Sequence, residues 1–185
     1  MVSLWWGGTL RALANTRPTK GVLSMIYDHV SWTKDDSARH QMKLVLRNST
    51  AVGVCNSILK EAILKEFGAV IPQDRLFLLE DGVDTQLFRP MPLPKEFTVG
   101  WTGNTDSAGG IPDFKGLGLI KEAAKQAGVR LRVLDAAGGG AWPHQEMPQF
   151  YKDVSVIAIG SLCEGTPNPL LEGMAMGRPA ISTRV

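Results

Sequence analysis

The chain has 185 residues, of which 44% are hydrophobic and 21% charged, enough to bury one core of ordinary size or two small ones. Its charges are scattered and nearly balanced, with 20 Lys and Arg against 18 Asp and Glu, which gives no reason to expect nucleic acid as a partner. The two cysteines, Cys55 and Cys163, lie in or beside apolar runs, so we expect the reduced environment of the cytoplasm rather than a disulfide-bonded fold.

Along the chain, short runs rich in β-branched residues alternate with helical patterns, which predicts parallel βαβ units. In the first half the predicted elements are, in order, a strand over Gly21–Val30, a helix from Thr33 to Arg47, a strand over Thr50–Cys55, a helix over Asn56–Gly68 and a strand beginning at Arg75. The proline-rich stretch Phe88–Glu96 follows and is the best candidate for a linker, because its three prolines stiffen the chain.

The second half repeats the alternation. Its predicted elements are a strand over Phe97–Gly103, a helix over Lys115–Gly128, a strand over Val129–Ala136, one or two helical turns over Glu146–Asp153, a strand over Val154–Gly160, a helix ended by Gly177 and Pro179, and a final strand from Pro179. Neither half reaches the ~100–150 residues of a complete doubly wound domain. We therefore expect the chain to be part of a longer protein.

Two glutamates surround the start of the last predicted helix, in the segment "EGTPNPLLEGMAMGRP". Because helical side chains lean toward the N-terminus, Glu172 is expected to point back at the loop that carries Glu164. Carboxylates accept hydrogen bonds from hydroxyl groups, and a helix N-terminus favours an anion. A ligand with both phosphates and hydroxyls, such as a nucleotide sugar, would satisfy both demands. The open alternative is a Glu172 that merely complements the helix dipole and a solvated Glu164.

Lys115 stands at the start of a helix, after the strand and long loop of "WTGNTDSAGGIPDFKG". A lysine beside helix amides is a good partner for a diphosphate. Lys115 lies one βα unit upstream of the two glutamates, and ligands of such sheets bind beyond the carboxyl ends of the strands. We therefore expect one shared site, the alternative being a solvated lysine.

Three segments together resemble the retaining glycosyltransferases of GT-B fold in glycosyltransferase family four (group 1 type). They are "LLEDGVDTQLFRP", "DFKGLGLI" and "FYKDVSVIAIGSLCEGTPNPLLEGMAMGRPAIST", the last with its two glutamates separated by seven residues. The resemblance begins at about residue 21. It implies an α/β protein of two Rossmann-like parallel-sheet domains facing a cleft, both incomplete here. Residues 1–92 would belong to the acceptor-side domain and residues 93–185 to the nucleotide-sugar-binding domain.

The resemblance also implies roles for single residues. Lys115 would neutralise the leaving diphosphate, Glu164 would hold sugar hydroxyls near the reacting carbon, and Glu172 would hold the ribose. His29 would face the sugar from the end of an N-terminal strand, although it could equally be an ordinary strand-end residue. The other expected donor contacts are Gly103, Asn104, Gly165, Thr166, Pro167 and Asn168.

The implied reaction is transfer of a hexosyl-type sugar from a nucleoside diphosphate donor to a glycan, lipid or small-molecule acceptor, with retention. No cofactor and no metal are expected: a fixed lysine and helix amides can stabilise the charge of the leaving group, and no DxD-like acidic pair ends a strand. One departure is Asn104, which stands where many members carry an arginine, so phosphate binding is expected to be weaker or to use another group.

Further expectations concern partners, location and alternative functions. Nucleic acid is not expected to bind, and the location is expected to be cytoplasmic, with peripheral association with the inner face of the membrane through the rest of the N-terminal domain. The alternative function is a truncated, non-catalytic chain that at most binds a nucleotide sugar. A dinucleotide-dependent oxidoreductase is disfavoured because no G-x-G-x-x-G follows a predicted strand.

Overall fold

The structure is a computed structural model that describes residues 2–3, 8–11, 21–27, 35–108 and 111–184. It divides the chain into two compact units, Met1–Asp81 and Gly82–Val185. In the described part of the chain, each unit is built on one four-stranded sheet whose strands pair in parallel. The predicted α/β class with two parallel sheets is therefore confirmed.

The first unit places its strands in chain order across the sheet, β1-β2-β3-β4. These strands are β1 (Val2–Ser3), β2 (Leu23–Ile26), β3 (Ala51–Val54) and β4 (Leu76–Leu78), and the helices are α1 (Asp36–Asn48) and α2 (Ser57–Phe67). Both helices begin at a side-chain cap: Asp35 accepts a hydrogen bond from the Ala38 amide at 2.7 Å, and Asn56 accepts one from the Leu59 amide at 2.7 Å. The apolar faces of both helices pack with the sheet into one core.

The second unit has the strand order β6-β5-β7-β8. Its strands are β5 (Thr98–Gly103), β6 (Arg130–Asp135), β7 (Val156–Ile159) and β8 (Ala180–Ser182), and its helices are α3 (Leu117–Ala127), α4 (Met147–Tyr151) and α5 (Asn168–Ala175). All four residues of β7 are buried, as the unbroken apolar run predicts for an inner parallel strand. Gly128 ends α3 in the left-handed conformation at φ +64°.

The order of these strands creates a topological switch point. From β5 the chain passes to β6 on one side and from β7 to β8 on the other, so the connections that follow β5 and β7 lead toward opposite sides of the sheet. In open parallel sheets, ligands bind in the crevice beyond the carboxyl ends of the strands at such a point. A ligand site is therefore expected among the residues that follow Gly103 and Ile159.

The buried Arg178 attaches the proline-rich segment to the second unit. Its side chain donates to three backbone oxygens, those of Tyr151 at 3.0 Å, Met91 at 2.8 Å and Pro92 at 3.0 Å. The residue is only 1% exposed, and burial lowers the pKa of its guanidinium. The segment therefore belongs to the second compact unit, which begins at Gly82, whereas the predicted domain boundary lies between residues 92 and 93.

We expect Arg178→Met to lower the free energy of unfolding of the second unit by ~2–4 kcal/mol, because three backbone oxygens lose a charged donor. Urea unfolding followed by circular dichroism measures this loss. Arg130→Met is the matched control: Arg130 pairs with Glu96 at 2.8 Å, but the two side chains are 69% and 77% exposed, so a change within about 0.5 kcal/mol is expected. Equal losses in the two variants would contradict the structural role of Arg178.

Candidate functional site

A cavity of about 280 Å³ lies at the switch point, beyond the carboxyl ends of β5 and β7. Most of the residues predicted to bind a ligand line it. They are Gly103, Asn104, Lys115, Glu164, Thr166, Pro167 and Asn168. Of the other predicted site residues, Gly165 is not among the lining residues, Glu172 lines a different cavity, and His29 lies outside the described residues.

Lys115 and Glu164, which both line this cavity, form an ion pair. The Lys115 Nζ atom is 2.8 Å from Glu164 Oε1, although the residues are 49 positions apart. Ser161 donates its hydroxyl to the same oxygen at 2.6 Å. The lysine and glutamate side chains are 22% and 14% exposed, so the pair is accessible yet shielded from most of the solvent. Two donors on one oxygen fix the orientation of the carboxylate.

The two loops meet because both have a glycine at the point of contact. Gly116 has φ +65°, and a Cβ atom there would lie 2.0 Å from the Gly160 carbonyl oxygen. A Cβ atom on Gly160 would in turn lie 2.7 Å from the Gly116 carbonyl oxygen. Only glycine fits at such a close approach of two backbones. The contact brings Lys115, which precedes Gly116, against the loop that carries Glu164.

Further hydrogen bonds hold this contact in place. The buried Trp101 donates its indole N–H to the Lys115 carbonyl oxygen at 3.2 Å, and the Leu162 amide donates to the Phe114 carbonyl oxygen at 2.9 Å. Lys115 therefore presents its ammonium group from a backbone that is fixed on both sides. Neither Trp101 nor Ser161 was predicted as a site residue, because each lies at the end of an apolar strand and resembles a core residue in sequence.

The start of α3 differs from the prediction. The amides of Gly118 and Leu119 donate to the carboxylate of Asp113, at 2.8 Å and 3.2 Å. The prediction that amides of this helix start would bind an anion beside Lys115 is therefore wrong for these two amides, since an internal carboxylate already occupies them. Of the donors predicted at this helix start, Lys115 lines the cavity.

Glu172 lies in a second cavity of about 140 Å³, together with Asp84, Phe88 and His144. The residue is only 8% exposed. Tyr151 donates its hydroxyl to Glu172 Oε2 at 2.6 Å, and His144 Nδ1 is 3.6 Å from Oε1. The structure therefore does not bring Glu164 and Glu172 into one cavity. Asn168, at the start of α5, lines both cavities.

The two glutamates differ in electrostatics as well as in position. Burial raises the pKa of the Glu172 carboxyl above its ordinary value of 4.5, while the hydrogen bond from Tyr151 and the charge of His144 oppose this rise. Burial, together with the neighbouring Glu172, also raises the pKa of the Tyr151 hydroxyl, which therefore remains a donor. Glu172 is thus a buried acceptor held by a neutral donor, whereas Glu164 is paired with a cation.

Comparison with known protein families finds a similarity in the C-terminal region. Residues 118–185 match the family described as "Glycosyl transferases group 1". This segment includes both glutamates but begins after Lys115. No protein with a curated description is significantly similar in sequence.

Solved structures share the fold at low sequence identity. TarM, from S. aureus, is 15% identical with a TM-score of 0.73 over 98% of this chain and 40% of its own. Anabaena Alr3699/HepE, in complex with UDP-glucose, is 14% identical with a TM-score of 0.71 over 98% of this chain and 58% of its own. Sucrose-phosphate synthase from Thermosynechococcus elongatus is 16% identical with a TM-score of 0.66 over 98% of this chain and 55% of its own.

These similarities confirm the predicted fold, an α/β protein of GT-B type with two Rossmann-like parallel sheets. The family match lies within the second unit. The chain spans between 40% and 58% of the lengths of the three structures.

The contact between the two glycine loops can be tested with Gly116→Ala. Gly128 is the matched control, because it has almost the same φ of +64° but no atom within 4 Å of an added Cβ. Gly128→Ala should cost about 1–2 kcal/mol of stability from backbone strain alone, and Gly116→Ala should cost a further ~1–3 kcal/mol from the clash with Gly160. Urea unfolding measures both losses. Equal losses would show that the loops do not touch as described.

A second prediction concerns the buried carboxylate. A folded-state pKa that is raised makes the ionised form of Glu172 unfavourable, so the stability present below pH 4.5 is lost as pH rises through the folded pKa. Glu172→Gln should therefore raise the melting temperature by a few degrees at pH 8 and by much less near pH 4. The exposed Glu146→Gln is the control and should show no such trend. A melting temperature of Glu172→Gln that stays at or below that of the wild type at pH 8 would contradict the prediction.

Proposed function

We propose that this chain is the donor-binding part of a glycosyltransferase, which transfers a sugar from a nucleoside diphosphate sugar to an acceptor with retention and without a metal ion. The observation that carries the proposal is the Lys115–Glu164 pair in a cavity at the switch point of the second sheet. The family match over residues 118–185 supports it. Further support comes from Alr3699/HepE and TarM, which have been solved in complex with UDP-glucose and with UDP, respectively.

Lys115 is suited to stabilise the leaving group. When the bond between the sugar and the diphosphate breaks, negative charge develops on the leaving oxygen, and a fixed cation stabilises that charge more than it stabilises the bound substrate. In the structure this cation is paired with Glu164. A diphosphate would share or displace that partner. Since Asp113 occupies two amides of α3, the lysine supplies this charge without them.

Glu164 is better suited to hold a hydroxyl group than to attack the sugar. Both hydrogen bonds that it accepts in the described part of the chain go to Oε1, from Lys115 and Ser161. Oε2 can therefore accept from a hydroxyl of the donor sugar. A carboxylate neutralised by a lysine is a weak nucleophile, which favours retention by displacement on the same face of the sugar over a covalent intermediate.

The two cavities, which share Asn168 as a lining residue, suit the two ends of a nucleotide sugar. The sugar and diphosphate would occupy the cavity with Lys115 and Glu164, and the ribose would occupy the cavity with Glu172, on either side of Asn168. Gly165, Thr166 and Pro167 would lie along the diphosphate at the start of α5, which has no side-chain cap of its own. His29 stays a predicted catalytic residue.

The sugar is proposed to be a hexose and the acceptor a glycan, lipid or small molecule, as in polysaccharide biosynthesis. TarM has been solved in complex with Fondaparinux and alpha-GlcNAc-glycerol, which supports a glycan-type acceptor. The cytoplasmic location and the peripheral contact with a membrane also stay predictions. None of the helices described here is long and apolar enough to cross a membrane.

The donor site can be tested by calorimetry with UDP-, GDP- and ADP-sugars. We expect one class to bind and Lys115→Ala to weaken its binding roughly 10–100-fold, since a charged hydrogen bond is lost. Glu164→Gln should weaken binding of the nucleotide sugar but not of the corresponding nucleoside diphosphate, because it removes a sugar contact and frees Lys115. Lys125→Ala, in the last turn of α3, is the charge-matched control and should leave binding unchanged.

Two results would contradict the proposal. One is that no nucleotide sugar binds, and the other is that Lys115→Ala and Lys125→Ala behave alike. Assay of sugar transfer by the same chain distinguishes an enzyme from the alternative, a chain that binds the donor without transfer. We expect little or no turnover from these 185 residues alone.

A further inference from the structure

Contacts hold both the ring and the backbone of Tyr151 in place within the second unit. Its ring is fully buried and packs edge-on against Phe150 and Phe88, with ring centroids 5.3 Å and 6.0 Å away. Its carbonyl oxygen accepts hydrogen bonds from the Arg178 side chain at 3.0 Å and from the Val154 amide at 3.1 Å. The hydroxyl group at the end of this ring therefore has a defined position, although α4 itself is short.

The hydroxyl group faces one acceptor, Glu172 Oε2, at 2.6 Å. A buried hydroxyl group needs an acceptor, and a buried carboxylate needs donors, so each group satisfies the other. Because Tyr151 holds Oε2, the other oxygen is the one nearer His144, at 3.6 Å from Nδ1. His144 and Glu172 both line the second cavity. The bond thus fixes which carboxylate oxygen is offered to a ligand.

We propose that Tyr151 is a positioning residue for nucleotide binding: its buried hydroxyl group holds Glu172 so that the carboxylate can accept hydrogen bonds from the hydroxyl groups of a bound nucleoside diphosphate. This inference rests on the proposed function. Tyr151 acts through Glu172 and does not line either cavity. Its position in an apolar stretch, "MPQFY", gives no sign of this role in the sequence.

Among the residues that the structure describes, three titratable groups contact the Glu172 carboxylate or line its cavity. They are Tyr151 of α4, His144 of the short turn before it and Asp84, which lines the same cavity. Burial raises the pKa of Glu172, and Tyr151 and His144 oppose the rise. The Asp84 side chain is bound to the amides of Gln86 and Leu87 in an exposed turn. Tyr151 is therefore the nearest group that favours an ionised Glu172 at every pH below its own titration.

The test is calorimetry with UDP, GDP and ADP between pH 5 and pH 8, comparing the wild type with Tyr151→Phe. The substitution keeps the ring and removes only the hydroxyl group. We expect the dissociation constant of the bound nucleotide to rise roughly 5–50-fold, since a hydrogen bond to a charged group is lost. We also expect affinity to fall at a higher pH than in the wild type, because an unassisted Glu172 is protonated more readily.

At each pH, the dissociation constant of Tyr151→Phe is divided by that of the wild type. Because titration of the diphosphate affects both constants equally, a change of this ratio with pH comes from the protein. Tyr27→Phe, at the only other tyrosine of the sequence, is the matched control and should leave the ratio at one. Glu172→Gln is a second variant whose affinity should be low and should lack the pH dependence attributed to Glu172. Adding Tyr151→Phe to Glu172→Gln should then change the affinity less than twofold.

The outcomes separate this inference from the proposed function. If the wild type binds none of the three nucleotides, the proposed function and this inference both fail. If the wild type binds and Tyr151→Phe matches it at every pH, only the positioning role fails. If Tyr151→Phe does not fold, as judged by circular dichroism, Glu172→Gln decides: a ratio of the Glu172→Gln to the wild-type dissociation constant that stays constant with pH contradicts the inference, and a ratio that falls toward one at low pH supports it.

Discussion

The candidate site depends on one steric constraint, the contact between the backbones at Gly116 and Gly160. Each glycine lies where a Cβ atom on it would overlap the other residue's carbonyl oxygen, so the loops after β5 and β7 can approach only without side chains. This approach allows a lysine and a glutamate that are 49 positions apart to form a 2.8 Å ion pair. The strand order sets where the site lies, and the two glycines allow the loops to come close enough for the ion pair to form. A fold with the same strand order but larger residues here would have the crevice without the pair.

A network of hydrogen bonds links the packing of the second unit to the cavity that contains Glu172. Arg178 donates to Tyr151 and to the proline-rich segment, and the Tyr151 hydroxyl donates to Glu172. Every link is a buried or partly buried polar bond, so each group is costly to leave unsatisfied. Arg178 thus stabilises the attachment of the segment and fixes the backbone of the residue that orients Glu172. Stability and ligand geometry depend on the same side chains.

The sequence predicts the fold well because strand and helix periods, caps and glycine stops are local signals. In the structure the apolar run of β7 is buried, Asn56 caps α2 and Gly128 ends α3. Lys115 and Glu164 could be paired from their places after two predicted strands. The roles of Asp113, Ser161 and Tyr151 could not, because each depends on a contact between segments distant in sequence or on a local turn. A carboxylate that caps its own helix resembles, in sequence, an exposed loop residue.

The largest difference between sequence and structure concerns the two glutamates, and it has a physical reason. Spacing alone suggests equivalent carboxylates around one helix start, yet Glu164 lies on the loop and Glu172 in the interior of α5. A side chain on the loop can reach a cation across the crevice, whereas one inside the helix is covered by α4 and must be satisfied by a neutral hydroxyl group. The first is paired with a lysine, and burial works against the charge of the second. Because their environments differ, the two carboxylates are suited to different parts of one ligand, and Asn168, which lines both cavities, marks the boundary between those parts.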